Sequence, residues 1–157
     1  MANSLDLMLY RAAAQTFEEL AFLFAYPQQV EAQSAAPTDV IASASFRGAL
    51  QGRVTVACPR AMLPAIARNM LGQAEDPPEL QQLDALSEMA NVVCGNLLPT
   101  LAPEGAVFHM EAPQVFQGDL LRGEEGPAAR ARLEFDEGWA EVRLHLQDAA
   151  SADGGCR

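Results

Sequence analysis

The residues whose types and spacing best suit chemistry are Asp84, Glu88, Asn91 and Gly95. They follow one another at steps of four, three and four, so on a helix they stack in one stripe. A carboxylate then stands beside a carboxamide on a rigid support. Gly95 comes next, with no side chain to block a partner's close approach. A carboxamide has no useful acid–base pKa, so Asn91 is not a general base. A carboxamide can, however, hydrogen-bond a water molecule and orient it. That is enough only where the substrate is already activated and the nucleophile needs no more than positioning. A glycine inside a helix costs roughly 1 kcal/mol relative to alanine, and a packing role is one way to offset that.

No rival constellation emerges. The serines lack the strand–turn–helix setting of a nucleophile elbow. His109 and His145 fall in extended segments without a second ligand at metal spacing. Cys58, Cys94 and Cys156 are odd in number and not spaced for a metal, which suggests thiols in a reducing cytoplasm. Arg60 and Arg68 have no glycine-rich phosphate loop beside them and read as solvated face. Phe17, Phe22 and Phe24 read as core rather than as a binding stripe.

The element that must carry the stripe is a helix over Glu79–Leu98, punctuated by Pro77 and Pro78 at its start and Pro99 at its end. Leu80, Leu83, Leu86, Ala90, Val93 and Leu97 recur at helical steps and mark its buried face. A first helix is predicted over residues 5–25, with Glu18 and Glu19 on its flank and no asparagine three residues after either. Residues 27–37 form a proline-bounded connection. Two strands follow: Val40, Ala42, Ala44 and Phe46 alternate in one, and Leu50, Val54, Val56 and Cys58 in the other. The turn is expected at Arg47-Gly48-Ala49 and a bulge at Gly52. Residues 60–71 form a second helix capped by Gly72. Val107–Phe116 is extended but broken by Pro113, and residues 117–127 form an acidic, glycine-rich loop. A hairpin closes the order, with Ala131, Leu133 and Phe135 on one face, Ala140, Val142, Leu144 and Leu146 on the same side of its second strand, and Asp136-Glu137-Gly138 at its turn. This predicts an α+β fold of two layers, with helices on one face of a mainly antiparallel sheet.

The 157 residues suit one domain, taken as residues 1–147, with residues 148–157 expected to form a small, polar, disordered tail. The formal charge is −11, from 21 acidic against 10 basic residues. Such a chain repels phosphate backbones and anionic membranes, so nucleic acid and membrane are excluded as expected partners. No secretory signal is expected, since the first basic residue is Arg11 and no clear cleavage site follows an apolar region, and the longest apolar run, Leu20–Tyr26, is far too short for a bilayer. A cytoplasmic location is expected.

The run Asp84-x-x-x-Glu88-x-x-Asn91, with its flanks SEMANVVCGNLL and Pro113 downstream, resembles the signature helix of the CheC/CheX class of chemotaxis phosphatases. Only one complete signature is present, as in the single-site CheX branch. The resemblance implies that the amide enters the active site of a phosphorylated CheY-like receiver domain and places the water that hydrolyses its aspartyl phosphate. It gives Asn91 that role, gives Glu88 a pairing with a receiver lysine, and leaves Asp84 and Gly95 on the contact surface. Magnesium would belong to the receiver, with no cofactor in this chain. It also implies a homodimer, for which the strand edges of residues 129–146 are candidates. From Glu88 and Asn91 alone, the plainer reading is the wet face of an amphipathic helix. The flanks, the element order and the absence of rival chemistry favour the phosphatase. The competing class is a non-catalytic module that docks a receiver or scaffold.

Overall fold

A computed structural model describes residues 3–27, 39–117 and 126–147. Helix α1 spans Ser4–Ala21. Its start is set by a capping box, in which the Asn3 side chain accepts from the Asp6 N–H and the Asp6 carboxylate accepts from the Asn3 N–H. The helix ends four residues earlier than periodicity suggested. Phe22 takes a left-handed conformation (φ 52°), and Phe22 and Leu23 donate back to the Glu18 and Phe17 carbonyls. Beyond that point the helical period no longer applies. Phe17 and Leu23 are buried, whereas Phe22 and Phe24 are 63% and 62% exposed rather than in the core.

Strands β1 (Val40–Gly48) and β2 (Gly52–Cys58) form an antiparallel hairpin. Its turn lies at residues 49–51, two residues later than expected, so Leu50 belongs to the turn. Gly52 is not a bulge, since it pairs in register with Phe46. It is required by a close approach, because a Cβ there would lie 2.0 Å from the His145 carbonyl oxygen. A short 3₁₀ turn (Arg60–Met62) leads into α2 (Leu63–Leu71), with Pro64 in its first turn and Gly72 (φ 66°) as its left-handed cap. Helix α3 spans Glu79–Leu101.

The segment around Pro113 is two short strands, β3 (Phe108–Met110) and β4 (Gln114–Gln117), both paired with the same edge of β1. Strands β5 (Ala129–Phe135) and β6 (Gly138–Leu146) form the closing hairpin. The sheet is therefore six-stranded, in the order β3-β1-β2-β6-β5 with β4 beside β1, and antiparallel throughout. Strict alternation sends Val40, Ala42, Ala44 and Phe46, Val54, Val56 and Cys58, Ala131, Leu133 and Phe135, and Ala140, Val142 and Leu144 to one face, where they meet the three α-helices in one core. Leu146 runs past that core and is 40% exposed. This is the two-layer α+β arrangement expected. Residues 28–38, most of the acidic loop (118–125) and the polar tail lie outside the described residues.

Candidate functional site

The rotation of α3 about its own axis decides what the stripe can do. Ala85, Leu86, Met89, Ala90, Val93, Cys94, Leu97 and Leu98 are all buried, a continuous band of paired positions at helical period. Eight core contacts fix which way the helix faces, and a polar tie adds to them. The Asn96 amide donates to the Thr16 hydroxyl at 3.0 Å, and that hydroxyl donates to the Ala12 carbonyl at 2.7 Å, joining α3 to α1. At the other end Arg60 pairs with Glu79 at 2.5 Å, beside the first turn of α3, where a carboxylate also suits the helix dipole.

With the helix so held, Asp84, Glu88 and Gly95 are exposed and Asn91 is half-exposed, along one outward stripe. Leu86, Ala90 and Val93 lie behind them in the core, and Leu83 is half-buried. Leu80 departs from expectation. It is 76% exposed, because the core band begins only at Ala85, after the first turn has cleared the sheet. Among the described residues, the side chains of Asp84, Glu88 and Asn91 make no hydrogen bond or ion pair within the chain. A carboxylate and an amide with both donor and acceptor capacity are therefore presented together to solvent.

Two features at the stripe's lower end were not legible in the sequence. The helix does not stop at Pro99 but continues to Leu101, although proline has no N–H for the Gly95 carbonyl one turn back. A shallow, mainly apolar cavity of about 450 Å³ opens there, lined by Gly95, Leu98, Pro99, Ala102, Phe108 and Met110. The proline was visible; the juxtaposition with β3 is tertiary. Nothing within 4 Å would meet a Cβ at Gly95, so the fold itself does not require glycine at that position.

The other candidate residues are structural or dispersed. Cys58 and Cys94 are buried free thiols, and burial pushes each from 9.0 up to about 12, with the Asp39 carboxylate adding to the effect at Cys58. Cys156 lies outside the described residues. His109 and His145 sit on β3 and β6. Among the described residues no group of three metal-ligating side chains converges. Arg60 and Arg68 are not merely solvated, since they pair with Glu79 and Asp76. Glu18 and Glu19 are exposed on α1, and Glu19 accepts from the Gln15 amide at 2.9 Å. Among the described residues no helix is long and apolar enough to cross a membrane.

Comparison with known proteins adds to this geometry. A family model described as chemotaxis phosphatase CheX matches residues 40–135, from β1 to the end of β5 and including the whole stripe. No curated protein matches the chain in sequence. Among solved structures, a chemotaxis protein CheX from Desulfovibrio desulfuricans superposes with a TM-score of 0.74 at 21% identity, over 92% of this chain and 100% of that one. A chemotaxis protein CheX from Vibrio vulnificus gives 0.70 at 20% identity, over 92% and 97%. The CheX of a CheX–CheY–BeF3–Mg2+ complex from Borrelia burgdorferi gives 0.67 at 15% identity, over 90% and 97%. At these identities the likeness is one of fold.

Proposed function

Because the chain belongs to the CheX family of chemotaxis phosphatases, we propose that it hydrolyses the aspartyl phosphate of a CheY-like receiver domain, with Asn91 holding the attacking water and Glu88 engaging the receiver. The observation that carries this reading is the outward presentation of Glu88 and Asn91 on one face of a helix whose rotation the core fixes. The Borrelia burgdorferi relative, in complex with CheY, BeF3 and Mg2+, supports a receiver as the partner. In chemical terms BeF3 stands in for a phosphoryl group.

An acyl phosphate is already activated, so the protein has only to position the nucleophile and let charge redistribute. The Asn91 carboxamide hydrogen-bonds a water and aims its oxygen in line with phosphorus. The new P–O bond forms as the bond from phosphorus to the aspartyl oxygen breaks. The receiver carboxylate is regenerated, and inorganic phosphate leaves with the water's oxygen. Magnesium on the receiver, when bound, meets the phosphoryl charge. Glu88 pairs with a receiver lysine and so orients the two proteins, while Asp84 and Gly95 complete the contact surface. Exposure of the pair suits this division of labour, because the site becomes complete only when the receiver covers it.

The test is single-turnover decay of a phosphorylated receiver, with binding measured separately on the BeF3-loaded receiver. The proposal predicts faster decay with the chain present, and a Glu88→Ala variant that is weaker in both association and turnover. Binding without any acceleration of decay would replace the phosphatase with a docking module.

A further inference from the structure

We propose that the sheet face turned away from the helices carries a binding site for a small phosphate- or carboxylate-bearing anion, in the cavity between Arg47, Arg53 and His145. All ten basic residues of this chain are arginines, and the chain is strongly acidic overall. Yet strand alternation sends Arg47, Arg53, Arg130, Arg132 and Arg143 to this one face, where the strands themselves place only Glu134 and Glu141. The carboxylates Asp6, Glu18, Glu19, Glu79, Asp84 and Glu88 belong to the helix layer on the other side. Among the described residues the strands thus gather five arginines and two glutamates on this face, with Arg143 paired to Glu141. Beyond a Debye length of about 8 Å the opposite face contributes little to the local field.

Within this face Ser45 lies opposite Arg53, and Arg53 lies opposite His145, in one cross-strand row. Arg47 stands next along the same side of β1. These residues, with Gln51 and Glu111, line a cavity of about 290 Å³. Gly52, where β2 and β6 approach closely, also lines it. Among the described residues that line it are one carboxylate, that of Glu111, and two guanidinium groups. Their planar donor forks match carboxylate and phosphate oxygens. Arg53 and His145 already take part in interactions within the chain, so an arriving anion competes with those contacts, and millimolar affinity is expected. The face is also short of acceptors elsewhere. The Nε and Nη2 of Arg132 and the Thr55 hydroxyl are enclosed with no hydrogen-bond partner among the described residues, while Arg132 stacks 4.0 Å over Trp139.

The experiment is a titration of isotope-labelled protein with inorganic phosphate, with sodium chloride adjusted to hold ionic strength constant and amide shifts followed. The expected result is saturable shifts confined to Ser45, Arg47, Arg53, His145 and their neighbours. Arg47→Gln, at the exposed end of β1, should weaken binding about tenfold with the spectrum otherwise preserved. Glu111→Gln should strengthen it. Shifts that never saturate, that spread over the surface, or that are the same in Arg47→Gln would overturn the proposal.

Discussion

Replacing Gly95 by alanine should stabilise the fold and weaken its engagement with the receiver. The glycine lies inside α3, six residues before the helix ends at Leu101, and its φ is not in the left-handed region. Beyond its own turn of helix, no described atom lies within 4 Å of where its Cβ would stand. The substitution therefore meets no steric cost and recovers the helix-propensity difference, about 0.5–1 kcal/mol, partly by narrowing the unfolded ensemble. In a domain of this size that corresponds to roughly 2–4 °C in Tm for each kcal/mol. Urea denaturation should show a higher midpoint with an unchanged slope. The same methyl group would project from the proposed contact stripe beside the apolar cavity, so binding to the BeF3-loaded receiver should weaken. A larger side chain, as in Gly95→Met, should weaken it further. If Gly95→Ala lowered the midpoint, the open space around Gly95 would be wrong. If it raised the midpoint and binding were unchanged for both variants, Gly95 would have no place on the contact surface.

Three further outcomes follow from the packing. Asn96→Ala should cost about 1 kcal/mol, because it removes the tie to Thr16 between α3 and α1, and chemical denaturation measures this directly. The folded-state pKa values of Cys58 and Cys94 are raised from 9.0 to about 12, so the stability they contribute is full below pH 9 and is lost as pH rises toward 12. Urea midpoints should therefore fall between pH 9 and 11, less steeply in Cys58→Ala, and in a Cys156→Ala background a thiol reagent at pH 8 should find no reactive cysteine until the protein unfolds. We also expect a homodimer, with light scattering at micromolar concentration giving twice 16.8 kDa. Pairing should use the β3–β4 edge, because at the β5 edge the Arg130 N–H already donates to Asp6 and the Glu134 carbonyl already accepts from the Tyr26 N–H.

Much of this arrangement could be read from periodicity, and the exceptions share a cause. The stripe of α3 and the alternation of β5 and β6 were legible because a single strong period runs unbroken through each. Leu80 was misplaced because period says which residues share a face, but not how far along the helix the sheet extends. Phe22 and Phe24 were misplaced because one left-handed residue resets the pattern, and phenylalanine is not a residue that announces such a cap. The persistence of α3 through Pro99 and the division of residues 108–117 into two strands on one edge of β1 depend on tertiary neighbours. The carboxylate and amide of the candidate site were legible as types and spacing. Their lack of partners among the described residues was not, and neither was the clustering of arginines on one sheet face, which depends on strand order.

The most direct test of the central claim is the rate at which phosphorylated receiver loses its phosphate in the presence of Asn91→Ala, compared with the parent protein. Asn91 is half-exposed on a helix, so alanine leaves the fold intact. Loss of a positioned hydrogen bond to the attacking water costs on the order of 3 kcal/mol, roughly a hundredfold in rate. The account predicts that the variant binds the BeF3-loaded receiver as the parent does but barely accelerates decay. Decay at the parental rate would contradict it and return Glu88 and Asn91 to the ordinary wet face of a helix.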